Sequence, residues 1–365
     1  MKITDADGLE GRTTRLVVVD WGTTRLRAWL VAAEAGAADV GPGVAGPGVD
    51  PDRAVVEERR ESGAGIATLG RGEHERALLG TIAPWTARHG PLPVVALGMV
   101  GSRDGWAEVP YVPCPADPAA LAAGVLVRRL ASGAPLYLLP GLVDTDVRPF
   151  PDVMRGEETQ IVGAGELGTR TLVLPGTHAK WVRVGAGGVE RFRTFVTGEL
   201  FALLRARSFV ARSGTRDGQG AVPDEAAPDG EVVDEAAFRR GVDVSAETSS
   251  SADATLALLF SVRTGRLAGR IAPEAAGDYL SGLLIGQEFR QARGQGWFAA
   301  GDTLGLIGGD ALLARYALAA DAFGLDTVRA PADAALRGAL TIAARLIDEP
   351  PVRAARDTER GTPWT

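Results

Sequence analysis

The sequence predicts an α/β protein built from two related units. Short β-branched runs alternate with amphipathic segments along most of the chain. A strand, a Gly-Thr turn and a second strand occur at 15–31 and again at 171–184. At 365 residues the chain is long for one ordinary domain and sufficient for two, each with its own core.

Taken in order, Arg15–Asp20 reads as a buried strand, and Leu26–Val31 completes a hairpin with it. The Gly/Ala/Pro-rich stretch 35–50 predicts a loop, the charged 53–60 the start of a helix, and 73–89 an amphipathic helix. Strands are expected over 93–98 and 136–141, an exposed Asp/Pro-rich loop over 144–152, and a helix over 157–167. The second half begins again with strands at 171–174, 181–184 and 192–196, followed by a helix at 198–210. Residues 213–235 are rich in Gly, Pro, Asp and Glu and read as an insert. Helices at 235–240, 251–263 and 273–293, a strand at 303–307, and helices at 310–323 and 332–347 complete the chain. The expected division is 14–165 for the N-terminal unit and 166–331 for the C-terminal one. A closing helix over 332–348 would return to the first unit, with tails at 1–13 and 351–365.

Composition removes several function classes. A net charge of −7 lacks the basic footprint of a nucleic-acid-binding protein. No apolar run approaches 18 residues, and the polar N-terminus offers no secretory signal. The expectation is therefore a cytoplasmic enzyme. One cysteine, Cys114, excludes an internal disulfide and a Cys-based zinc site. It lies in the Pro-rich run 109–115 with no neighbouring His, which suits a packing or loop role. The chain has no G-x-x-x-x-G-K-[ST] and no HRD/DFG set, and His74, His89 and His178 make no metal-ligand pair.

Five constellations carry chemistry. In Asp20-Trp21-Gly22-Thr23-Thr24 a tight turn turns amides and hydroxyls toward an anion, and Asp20 can hold Mg²⁺ through water. An ordinary hairpin would use the same residues. The second copy, Pro175-Gly176-Thr177-His178-Ala179-Lys180, argues against coincidence and suits a β- or γ-phosphate, with Lys180 as a possible counter-charge. Gly308 and Gly309, between a strand and a helix, let a flat ring or ribose approach the backbone. Arg155-Gly156-Glu157-Glu158 opens a helix. One glutamate can complement its dipole while the other accepts a hydroxyl proton, and the sequence does not distinguish them. Finally, the turn with Gly101, Ser102 and Arg103 presents amides, a hydroxyl and a guanidinium, which suits a carboxylate or keto-acid substrate. Arg155 joins this substrate set.

These residues, in this order, resemble the acetate/sugar kinase–Hsp70–actin superfamily. More narrowly, residues 19–29, 98–102, 153–160, 175–182, 197–200 and 281–288 are similar to the 2-dehydro-3-deoxygalactonokinase family. The resemblance implies a two-lobed ribonuclease H-like (actin-like ATPase) fold with an interlobe nucleotide cleft. It implies an ATP- and Mg²⁺-dependent kinase acting on the 6-hydroxyl of 2-dehydro-3-deoxy-D-galactonate in galactonate breakdown, with a homodimer as one assembly. Asp20, Gly22, Thr23 and Thr24 would hold phosphate and Mg²⁺. Gly176, Thr177 and His178 would form the second phosphate loop, and Gly308 and Gly309 the adenosine turn. Glu157 or Glu158 would stand where related sugar kinases keep a catalytic Asp. Two alternatives share these motifs: a kinase of another sugar acid, and a non-catalytic ATP-binding regulator.

Overall fold

Val17, Val18 and Val19 are fully buried because their strand lies inside a sheet and is paired on both sides. The computed structural model describes residues 13–34, 51–186, 188–208, 210, 234–247 and 254–346. The 35–50 loop, the tails and all but the last two residues of the 213–235 insert fall outside the described residues. The chain divides into two compact units. One holds the described residues through Val143, with Val153–Gly163 and those from Ala335 on; the other holds Asp144–Asp152 and Ala164–Ala334.

In the first unit β1 (Thr13–Trp21) pairs antiparallel with β2 (Leu26–Glu34). The Gly22 N–H closes the turn on the Arg25 carbonyl at 2.9 Å. The charged stretch expected to begin a helix at 53–60 is instead β3 (Val55–Ser62), antiparallel to β2. The reason is tertiary. As an edge strand its charges are used: the Arg15 guanidinium donates to Glu57 at 2.8 and 2.9 Å, and Arg25 pairs with Glu61 at 2.8 Å. A ladder with β2 thereby overrides helix propensity. Helix α1 (His74–His89) buries Leu78, Ile82 and Trp85. Strand β4 (Val94–Gly98) then lies parallel to β1, matching Trp21 with Gly98.

Short elements that the sequence did not announce follow. These are β5 (Val112–Pro113), α2 (Pro118–Ala123), β6 (Leu126–Arg129), β8 (Leu142–Asp144) and β9 (Asp152–Met154), while β7 (Pro135–Leu138) is the strand expected over 136–141. The main sheet runs β3-β2-β1-β4-β7-β6, and β5-β8-β9 form a small second sheet. Helix α3 (Glu157–Ala164) opens with the two glutamates.

The second unit repeats the plan with β10 (Thr171–Leu174), β11 (Ala179–Gly185) and β12 (Gly188–Phe195) as antiparallel neighbours. Helices α4 (Thr197–Arg207) and α5 (Glu235–Glu247) follow. The single helix expected over 251–263 is two, α6 (Ala254–Leu259) and α7 (Ser261–Leu267). Helix α8 (Ala276–Gly294) is buried along nearly its whole length. Strand β13 (Thr303–Leu306), helix α9 (Asp310–Ala322) and β14 (Asp326–Arg329) complete the unit, and α10 (Ala334–Ala343) closes the described chain. The order β12-β11-β10-β13-β14, with β10 and β13 parallel, matches β3-β2-β1-β4-β7 of the first unit. That shared order, three antiparallel strands then two parallel ones, is the ribonuclease H-like arrangement, present twice. Among the described residues no helix is long and apolar enough to cross a membrane.

Candidate active site

In the first unit the functional side chains gather at the carboxyl ends of the parallel strands, where α/β sheets commonly bind ligands. Asp20 and Trp21 end β1, and Gly98 ends β4 beside them. Gly98 has φ 88°, and a Cβ there would lie 2.9 Å from the Trp21 carbonyl oxygen. Only glycine lets the two strand ends approach so closely. Trp21 is buried and donates its indole N–H to the Ala64 carbonyl at 2.7 Å. The 22–25 turn is held from behind, because the Ile66 and Ala67 amides donate to the Gly22 and Thr23 carbonyls at 3.0 and 2.9 Å. Thr23 is exposed and Thr24 half-buried.

Asp20 pairs with Arg27 at 3.6 Å. Burial nevertheless raises its carboxyl above the ordinary range, and the negative charge of Glu157 raises it further against the pull of Arg27. The two glutamates of α3 have separated into different environments. Glu158 is 1% exposed and both its oxygens are occupied, Oε2 by the Gly156 N–H at 2.7 Å and Oε1 by the Thr159 hydroxyl at 2.9 Å. Burial, reinforced by Glu157, pushes it up to about 7. Glu157 is half-buried, and its Oε2 accepts from the Arg155 N–H at 3.0 Å.

The expected substrate residues divide. Gly101, Ser102 and Arg155 come together: Nη1 of Arg155 packs against Gly101, Nη2 donates to the Val109 carbonyl at 2.7 Å, and the guanidinium lies 4.3 Å from the centre of the Tyr111 ring. Nε and Nη1 of Arg155 and Oγ of Ser102 are buried without a hydrogen-bond partner within the described protein. Arg103 is exposed and faces Glu108 at 3.7 Å.

In the second unit Pro175–His178 joins β10 to β11, and Gly308–Gly309 joins β13 to α9. The parallel pairing of β10 with β13 brings the two glycine turns side by side, with Gly308 against Pro175. Gly309 caps α9, so the positive end of that helix lies at the turn. Thr177 and His178 are exposed, and His178 Nε2 contacts Glu199 Oε2 at 2.7 Å. Lys180 lies beneath the turn rather than on it, 4% exposed, with Nζ donating to the His178 carbonyl at 3.3 Å. Sequence reasoning gave no role to Thr197, Glu199 or Glu288, although all three fall in matched segments. Glu288 carried one legible signal, a carboxylate within an otherwise apolar and amide run, 282–289.

Two ribonuclease H-like units, each with a Gly-Thr turn between its first two strands and one with a carboxylate pair, define an actin-like ATPase fold of the sugar-kinase kind. The chain belongs to the 2-keto-3-deoxy-galactonokinase family, whose model matches residues 48–343. It is 34% identical over 332 residues to a 2-dehydro-3-deoxygalactonokinase of Escherichia coli (strain K12), covering 90% of this chain and 97% of that protein. A Rhizobium meliloti (strain 1021) relative provisionally given the same name is 35% identical over 333 residues, 90% of this chain and 96% of its own. A crystal structure of a Sinorhizobium meliloti protein provisionally described as a 2-dehydro-3-deoxygalactonokinase superposes with a TM-score of 0.70 at 32% identity. That match covers 90% of this chain and 98% of the other.

Proposed function

We infer that this chain is an ATP-dependent kinase of 2-dehydro-3-deoxy-D-galactonate, acting in galactonate catabolism and transferring the γ-phosphoryl group to the 6-hydroxyl. The observation that carries the reading is the division of the glutamate pair beside Asp20. One carboxylate is locked away and the other stands half-buried at the start of α3, near enough to Asp20 to raise its carboxyl. Phosphoryl transfer needs positioning and charge neutralisation more than covalent help.

In this reading Glu157 accepts the proton of the attacking hydroxyl. Glu158, with both oxygens engaged and no exposure, shapes the Gly156 turn from within. The amide of Arg155 fixes the Glu157 carboxylate, so its orientation comes from the backbone. The 22–24 turn and Gly176, Thr177 and His178 supply donors for phosphate oxygens, and Gly308 and Gly309 admit the adenosine. Arg155, Ser102 and Gly101 take the carboxylate and keto end of the sugar acid, since their buried donors lack partners within the protein. Arg103 stays outside this set because it is exposed and paired with Glu108. A divalent cation fits Asp20, whose carboxylate lies within the field of a second carboxylate and is only distantly paired with Arg27. Mg²⁺ there would neutralise and orient the nucleotide phosphates, with water and phosphate completing its shell.

The test is ADP release with a panel of keto-deoxy sugar acids. Turnover is expected with 2-dehydro-3-deoxygalactonate and a 6-phosphate product. Good turnover of another acid with none of this one would overturn the substrate, and ATP binding without any turnover would favour a regulator. A cytoplasmic location and a homodimer belong to the same proposal, the latter checked by sedimentation of the pure enzyme.

A further inference from the structure

Behind the second phosphate turn lies a buried carboxylate to which the reaction gives no task. Glu288 is 2% exposed in the middle of α8. Its Oε1 accepts from the Trp181 indole N–H at 2.7 Å, and its Oε2 accepts from the Tyr316 hydroxyl at 2.8 Å and from the Thr197 hydroxyl. The three donors come from β11, α9 and the first residue of α4. Burial pushes Glu288 up to about 7, against the pull of all three donors. A buried ionisable group is weak evidence for stability, because an apolar residue would fill the same space at less desolvation cost. Its retention calls for another explanation.

The explanation lies one residue further along α4. Gly198 packs so tightly on the phosphate turn that a Cβ would lie 2.3 Å from the Gly176 carbonyl oxygen and 2.9 Å from the Thr177 Cα. The Glu199 N–H donates to the Thr177 carbonyl at 2.9 Å, and its side chain contacts His178 at 2.7 Å. The first turn of α4 therefore touches each of the three residues proposed to hold phosphate. The Thr197 hydroxyl ties that turn to Glu288. The same carboxylate anchors Trp181, on the strand leaving the phosphate turn, and Tyr316, on the helix that begins at Gly309.

We propose that Glu288 and Thr197 are positioning residues that hold the first turn of α4 against Gly176–His178 and so set the affinity of that turn for nucleotide phosphate. The proposal rests on the reading above that this turn holds ATP. Donors displaced by about 1 Å lose much of their effect on a ligand they no longer meet squarely. Thr197→Val keeps the shape and removes the hydroxyl, so the fold should survive. It is expected to raise KM for ATP about tenfold, with KM for the sugar acid within about twofold. Thr197→Ser should restore wild-type behaviour. Glu288→Gln can turn its oxygen to the Trp181 N–H and its amide to the two hydroxyls, so it should fold and fall between Thr197→Val and wild type. Thr177→Val serves as the control for the underlying reading.

If Thr177→Val raises KM for ATP while Thr197→Val leaves it unchanged, the positioning role is wrong and the phosphate turn stands. Should neither variant alter ATP affinity, the turn does not hold ATP and both readings fall. Equal rises in the two KM values after Thr197→Val would also overturn the proposal, because they would mark a general loosening of the enzyme.

Discussion

The two units share a strand order and a Gly-Thr hairpin turn but place opposite chemistry around it. At the first turn stand carboxylates, Asp20 at the strand end and Glu157 nearby. At the second stand a histidine paired with Glu199, a hydroxyl and the positive end of α9, with the buried carboxylate of Glu288 placed behind. Both turns are packed by a glycine that admits their backbone, Gly65 against Thr23 and Thr24 in one and Gly198 against Gly176 and Thr177 in the other. The lesson is that one strand order and one Gly-Thr turn can carry quite different side chains. In the proposed reading one copy serves a cation and a proton acceptor, and the other serves phosphate and nucleoside.

That comparison breaks most visibly at Glu157. Glu157→Gln keeps shape and hydrogen-bond capacity but removes the proposed base, and kcat should fall about 1,000-fold, within the range for losing a general base. KM for ATP should change little, because Glu157 is proposed to meet the acceptor hydroxyl and not the nucleotide. The measurement is steady-state kinetics beside Glu158→Gln, which should retain far more activity. The reverse ranking would transfer the base role to the buried residue.

Much of this contrast was legible in the sequence. Both hairpins, their glycines and threonines, and the Glu157-Glu158 pair are local patterns set by a few adjacent residues. The strand at 55–62 was not, because its charges read as a helix surface until Arg15 and Arg25 were seen opposite them. The setting of Glu288 depends on partners far away in sequence, Trp181 and Tyr316. No local pattern carries that information. The two guanidiniums expected to serve the substrate differ for the same reason: the fold packs Arg155 against Gly101 and leaves Arg103 exposed beside Glu108.

Glu158 sharpens the comparison through stability. Its carboxyl is raised from the ordinary 4.5 to about 7 in the folded protein, so the folded state keeps a proton that the unfolded chain gives up. The stabilisation is complete below pH about 4.5 and is lost as pH rises through about 7, by at most about 3 kcal/mol. Glu158→Gln removes that dependence. Urea melts at pH 5 and pH 8 should show the variant gaining on the wild type as pH rises. A gap between the two proteins that stays constant across that interval would mean that Glu158 is ionised in both states.

The smallest effects test which guanidinium serves the substrate. Arg155 is half-buried with two nitrogens lacking partners, and Arg103 is 69% exposed beside Glu108. A charge-assisted hydrogen bond made only with the sugar acid is worth about 2 kcal/mol. Arg155→Met should therefore raise KM for the sugar acid about thirtyfold while KM for ATP holds. Arg103→Ala should stay within about twofold on both, since an exposed and loosely paired charge contributes little. The pair of variants discriminates because the side chains are opposite in setting and alike in chemistry. If Arg103→Ala is the one that weakens the sugar acid, the loop at 102–108 turns inward when substrate binds. The acid end would then be read by the residue that sequence adjacency first suggested.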